Sequence, residues 1–140
     1  MNNFKQQLKY GKDLELYVLP IIRNAFGSND IKQPNNKYSS YNFIDDKKEV
    51  LYELKARTNK YNKYPTTMIQ EDKILNTHYK QIFLFHFIDG LYYIEYDPVL
   101  FDTFEKKEYS QYRSDKVDVH KLYYYIPIEE LKRVLMKEYI

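Results

Sequence analysis

Glu53 and Lys55 stand two residues apart in Val50–Ala56, a run whose remaining residues, Val50, Leu51, Tyr52, Leu54 and Ala56, read as a strand. Side chains two apart on a strand point the same way. A carboxylate and an ammonium therefore share a face with Leu51, and Val50, Tyr52, Leu54 and Ala56 take the other. A strand flanked by helices on both sides is usually apolar on both faces, and each ion placed there costs several kcal/mol unless paired or metal-bound. Two readings fit. One is an ion pair on an edge strand, which stabilises little. The other is an active site that uses both charges.

Two further polar residues converge on this pair. If the turn in "DDKK" has two or four residues, Asn42 comes to the Glu53 face, with Asp45 and Asp46 in the turn itself. A three-residue turn reverses this. Glu15 is the one carboxylate in an apolar helical stripe of Phe4, Leu8, Gly11, Val18, Leu19, Ile22 and Phe26. A buried Glu is rarely tolerated without a partner, whereas at the rim of the stripe it would reach solvent. Beside Glu53 and Lys55 the partnered reading is the stronger. Gly11, one turn earlier, would let the helix approach a sheet closely.

The elements that must position these residues follow from pattern. Residues 4–26 predict a helix, kinked or restarted at Pro20 because that residue lacks the N–H that would bond Leu16, and capped by Gly27. The loop "GSNDIKQPNNK" holds at most a short strand near Ile31. Tyr38–Ile44 and Glu49–Arg57 predict two strands joined by "DDKK", and "TNKYNKYP" a basic loop. A crossover helix is expected from Thr67 or Gln70 to Tyr79, making the strands at Glu53 and Ile82 parallel. In "QIFLFHFIDGLYYIEY", Asp89-Gly90 predicts a type I′ hairpin. Pro98–Arg113 reads as helical or irregular, "VDVHKLYYYI" as a strand, and Pro127 as the first residue of a closing helix, "PIEELKRVLMKEY". The expected class is α/β, a mixed sheet flanked by helices in the order α-β-β-β-α-β-β, then a C-terminal strand and helix. Residues 1–140 form one expected domain.

The composition, 44% hydrophobic and 30% charged, is that of a globular chain rather than a disordered one. No apolar run approaches the roughly 20 residues that span a membrane, the N-terminus has no secretion-signal core, and absent cysteine excludes disulfides and thiolate metal sites. A soluble intracellular protein without a membrane partner is expected. A net charge of +2 does not mark a nucleic-acid binder, but Lys and Arg cluster from Lys55 to Lys80. The 17 tyrosines read first as compositional bias, although tyrosine also stacks on bases.

In this order, "GKDLE" with Gly11 and Glu15, "YNFI" with Asn42, and "YELKAR" with Glu53 and Lys55 resemble the PD-(D/E)XK nucleases, restriction-endonuclease-like enzymes. The resemblance covers roughly residues 8–97, and "ELKARTNKYNKYPTTMI" with "FIDGLYY" resembles small members from large DNA viruses. It implies a deoxyribonuclease, endonuclease ahead of exonuclease, that hydrolyses phosphodiester bonds with Mg²⁺, Mn²⁺ substituting. It also implies Glu15, Asn42, Glu53 and Lys55 as catalytic residues. Glu15, Asn42 and Glu53 would hold the metal through hard oxygens, and Lys55 would orient the attacking water and stabilise developing charge. Many relatives dimerise to cut two strands, which adds a homodimer to DNA as an implied partner. The departure is Asn42, where the family usually has Asp. It marks a low-activity or inactive homologue, a site completed by Asp45 or Asp46, or an engineered exchange.

Arg57, Lys60, Lys63 and Lys73, interleaved with Tyr61 and Tyr64, are candidates for phosphate contact, against the alternative of a solvated loop. Thr66, Thr67 and Gln70 could add phosphate or base contacts, and Gln70 or Lys73 could support the site. His78, His86 and His120 lack metal-ligand spacing, and Tyr92, Tyr93 and Tyr96 read as packing. Two competitors to the nuclease stand: a non-catalytic nucleic-acid-binding module on the same fold, and an assembly protein in which Glu53 and Lys55 form a structural salt bridge.

Overall fold

Apolar residues at helical spacing make α1 (Phe4–Ala25) amphipathic, with Leu14, Val18 and Ile22 buried and Leu16 and Tyr17 exposed. The structure is a computed structural model that describes residues 4–36, 38–111 and 119–137. The side chains of Phe4 and Leu8 lie outside what is described. α1 continues through Pro20 instead of restarting. Pro20 and Leu16 are both exposed, so water can serve the Leu16 carbonyl that proline leaves unbonded. The helix ends as expected at Gly27, whose φ of 66° lets Ser28 N–H reach Arg23 O at 3.0 Å and Gly27 N–H reach Asn24 O at 3.2 Å. Gly11 departs from expectation: a Cβ there would meet nothing within 4 Å, so no close approach depends on it.

Among the described residues eight strands follow: β1 (Phe43–Asp45), β2 (Val50–Ala56), β3 (Thr66–Gln70), β4 (Lys80–Phe87), β5 (Gly90–Glu95), β6 (Glu105–Gln111), β7 (Val119–Pro127) and β8 (Lys132–Arg133). A five-stranded mixed sheet has the order β1-β2-β4-β5-β8, and a three-stranded antiparallel sheet the order β3-β7-β6. β2 and β4 are parallel, as expected, with Glu53 beside Phe83 and Lys55 beside Phe85. The class is thus mixed α/β, with α1 against one face of the larger sheet and the smaller sheet against the other.

Strand parity sorts the core accordingly. Val50, Tyr52, Ile82 and Leu84 pack with Leu14, Val18 and Ile22 of α1. Phe83, Phe85, Phe87 and Ile94 pack with Ile69 of β3 and Tyr124 and Ile126 of β7. Tyr92 and Tyr96 join the second cluster and Tyr93 the first, the packing role the sequence suggests.

Several expected elements take another form. The crossover is no helix but β3 followed by a 3₁₀ turn, Glu71–Lys73. Thr67 and Ile69 alternate as buried residues, and the period of two pairs them with β7. The closing helix is replaced by a 3₁₀ turn, Ile128–Glu130, and by β8, which covers the open edge of β5. Residues 138 and 139 of that expected helix lie outside the described ones, as do 117 and 118 of the strand before it.

Pro98–Arg113 resolves into the short α2 (Pro98–Phe101) and β6, with residues 112 and 113 outside the description. The expected strand Tyr38–Ile44 shrinks to β1, and near Ile31 there is a single bridge from Lys32 to Ile44. The hairpin is present, but Phe87 pairs with Gly90, so its loop is Ile88–Asp89 and Gly90 opens β5. Among the described residues only Glu49 and Gly27 have positive φ, which excludes the type I′ turn. Nor is any described helix long and apolar enough to cross a membrane.

Candidate functional site

β2 presents Glu53 and Lys55 on the face away from α1. Glu53 is buried, 8% exposed, and its Oε1 lies 3.4 Å from Lys55 Nζ and 3.6 Å from Lys73 Nζ. Lys73 comes from the 3₁₀ turn, which Gln81 of β4 fastens over the strand. Gln81 Nε2 donates to Lys73 O at 3.2 Å, and its Oε1 accepts from Leu75 N–H at 3.0 Å. Burial pushes the Lys55 ammonium below its ordinary pKa of 10.5; Glu53 pulls it back up and Lys73 presses it further down. One buried carboxylate thus answers two ammonium groups.

Glu15 and Asn42 form a second set on the α1 side. The four-residue turn after Asp45 puts Phe43 opposite Tyr52, but Asn42, one residue beyond the paired strand, does not come to the Glu53 face as expected: its N–H donates to Tyr52 O at 2.9 Å and its side chain turns to Glu15. Its side chain continues the ladder: Oδ1 accepts from Leu54 N–H at 2.7 Å, and Nδ2 donates to Glu15 Oε1 at 2.6 Å. Gln33 Nε2 donates to Glu15 Oε2 at 3.4 Å. Among the described residues no hydrogen bond or ion pair joins Glu15 or Asn42 to Glu53 directly. The two sets are linked through the Leu54 amide, at the edge of β2 that β1 leaves uncovered beyond Tyr52.

Asp45 and Asp46 do not complete this site. Asp45 is fully buried; its Oδ2 accepts from Ser28 Oγ at 2.5 Å and its Oδ1 from Lys48 N–H at 3.0 Å. Asp46 accepts from Tyr79 OH at 3.1 Å and pairs with Lys32 at 3.8 Å. The donor chemistry of Glu15, Asn42 and Glu53, two carboxylates and an amide carbonyl, fits a hard divalent cation. Among the described residues no three His, Asp or Glu side chains gather as a ligand group.

Beyond Lys55, an open cavity of about 620 Å³ runs between β2 and the β3–β7 ladder. Of the residues singled out from sequence, Lys55, Arg57, Tyr64, Thr66, Thr67 and Gln70 line it. Arg57 is largely committed to the fold: Nε donates to Thr67 Oγ1 at 3.1 Å, Nη2 to Met68 O at 2.6 Å, and Nη1 to Ala56 O at 3.2 Å. Its guanidinium also sits 5.4 Å from the Phe85 ring centroid. Gln70 Nε2 donates to Tyr123 OH at 2.8 Å. Lys60 and Lys63 lie outside the cavity wall, exposed, with Lys63 Nζ 5.6 Å from the Tyr64 ring centroid.

Sequence reasoning missed Gln81, Tyr123 and Tyr125. A lone amide in the apolar run "QIFLFHF" was the one available signal for Gln81. The two tyrosines reach the cavity only through pairing with β3, which no local pattern announces. His78 meets Glu49 on the surface and His86 packs edge-on against Tyr17, while the His120 side chain lies outside the description. No family model, curated protein or solved structure matches this chain.

Proposed function

We propose that this chain hydrolyses phosphodiester bonds in nucleic acid, DNA foremost, as a small metal-dependent endonuclease of restriction-endonuclease-like type. The observation that carries the reading is the buried Glu53 carboxylate held by Lys55 on the same strand face, with Lys55 also lining an open cavity. To hold Mg²⁺, or Mn²⁺ in its place, Glu53 and the Glu15–Asn42 pair, which lie on opposite sides of β2, would have to close on the ion at the edge that β1 leaves uncovered. Such a cation lowers the pKa of a bound water and stabilises the charge that develops on phosphate. Lys55 supplies a positive charge to the phosphate or the attacking water, and its partly buried setting strengthens that interaction. Lys73 supports Glu53 from the opposite element.

A second reading, a nucleic-acid-binding module without cleavage, is favoured by Asn42. Its amide satisfies Glu15 with no cation, and Lys55 and Lys73 do the same for Glu53. The deciding experiment is a Mg²⁺ and Mn²⁺ cleavage assay on single-stranded, duplex and branched DNA, comparing this chain with Asn42→Asp and Lys55→Ala. Cutting that Lys55→Ala abolishes supports the nuclease. Cutting by Asn42→Asp alone supports a silenced nuclease. Binding without cutting in any variant supports the module.

A further inference from the structure

The cavity beside Lys55 has an unusual lining for a chain that carries 20 acids: Lys55 and Arg57 supply cations, four tyrosines supply rings, and among the described residues no Asp or Glu contributes to its wall. Tyr61 is fixed, its ring stacked on Tyr92 with centroids 4.0 Å apart and its hydroxyl donating to Ile128 O at 2.8 Å. Tyr123 and Tyr125 are set by the β3–β7 register opposite Gln70 and Met68. Tyr64 differs: it lies in the loop before β3 and is 53% exposed, with Lys63 as its ring contact. An apolar, aromatic space next to cations suits a ligand that is flat on one side and anionic on the other.

We propose that this cavity receives one unpaired nucleotide of the substrate strand, its base against Tyr64 and its phosphate toward Lys55. The proposal rests on the nucleic-acid reading and narrows it to substrates with a single-stranded segment. A volume of about 620 Å³ falls among small-molecule sites. A base still paired in a duplex could enter only after unpairing and unstacking, at an energetic cost. Single strands present bases already free to stack on aromatic rings, with little dependence on sequence.

The test is direct binding by the full chain in EDTA, so that cleavage does not interfere, using a fluorescent single-stranded DNA, the same strand with abasic sites, and the matching duplex. Tyr64→Ala and Tyr64→Phe are compared with the unaltered protein. The expected result is tighter binding of the intact single strand than of the duplex or the abasic strand. Tyr64→Ala should weaken single-strand binding about tenfold, equivalent to about 1.4 kcal/mol, which lies within the range for base stacking. Tyr64→Phe should retain it. Because Tyr64 is exposed in a loop, neither variant is expected to unfold the chain. Equal binding of duplex and single strand, indifferent to Tyr64 and to abasic sites, overturns the cavity proposal and leaves the nucleic-acid reading intact. No binding to any of the three DNAs, with no cleavage in Mg²⁺, overturns both.

Discussion

The Asn42 carboxamide joins Glu15 to the β2 backbone, donating to Glu15 Oε1 at 2.6 Å and accepting from Leu54 N–H at 2.7 Å. A side-chain amide can do both at once; a carboxylate can only accept. Asn42 therefore makes the α1–β2 junction self-sufficient where a second carboxylate would leave two like charges in contact.

Asn42→Asp tests this. It places a carboxylate oxygen against Glu15, so the variant should be less stable than the native chain by about 1–3 kcal/mol in EDTA, the cost of an unsatisfied partner. Mg²⁺ should then stabilise Asn42→Asp more than the native chain, because a cation bound only by the folded state adds to stability. Urea unfolding with and without Mg²⁺ measures both. Identical responses of the two proteins to Mg²⁺ would remove Asn42 and Glu15 from the metal site.

Local pattern made some of this legible and tertiary pairing hid the rest. Parity on β2 placed Glu53 and Lys55 together on one face, because a period of two leaves no choice, but did not say which face α1 covers. Glu15 and Asn42 read as converging on Glu53 and Lys55; they bond each other instead, because Asn42 lies past the end of the β1–β2 pairing, where strand parity no longer sets its direction. The misread elements share a cause. "TTMIQ" and "KR" are strands only because β7 and β5 lie alongside them, and such pairing is set by residues distant in sequence. Arg57 shows the same limit: its hydrogen bonds to Thr67 and Met68 of β3 come from pairing that its own neighbourhood in sequence does not announce.

Arg57→Ala should accordingly cost stability, by about 2–3 kcal/mol, since several hydrogen bonds from a charged, part-buried group are lost. Arg57→Lys should recover little of this, because an ammonium cannot reproduce the planar fork. Lys60→Ala and Lys63→Ala, at exposed positions, should stay within about 0.5 kcal/mol of the native chain. Chemical denaturation of the four variants checks the contrast; an Arg57→Ala midpoint equal to that of Lys60→Ala would show that the guanidinium contacts add no net stability.

Lys55 offers a test of sign. Burial lowers its pKa, Glu53 raises it and Lys73 lowers it. Glu53→Gln should therefore move the Lys55 titration further below 10.5, and Lys73→Ala should move it back up. Carbon-13 NMR of the Lys55 Cε across alkaline pH follows both. Shifts in the same direction for the two variants would mean that the three groups are not coupled as their distances indicate. In cleavage assays of an active form, Lys55→Ala should lower the rate by a factor on the order of a hundred or more, as loss of a charge-stabilising donor does elsewhere.

Asp45 gives the pH dependence of the fold itself. Burial works to raise its pKa, but the Ser28 hydroxyl and the Lys48 and Lys47 amides, with the Lys48 charge, outweigh it and hold the carboxyl below 3.8. A carboxyl depressed in the folded state contributes stability that is present above its unfolded pKa and is lost as pH falls through the folded value. At neutral pH, Asp45→Ala should cost about 1–3 kcal/mol, because Ser28 and the turn amides lose a buried acceptor. As pH falls from 3.8 through the folded value, protonation removes the part of that contribution owed to the charge, so the gap between the two stabilities should narrow. Urea unfolding of both chains from neutral to acid pH measures the gap. A gap that stays constant through the acid range would mean that Asp45 titrates alike in the folded and unfolded chains, so that the Ser28 and Lys48 contacts do not favour its charge.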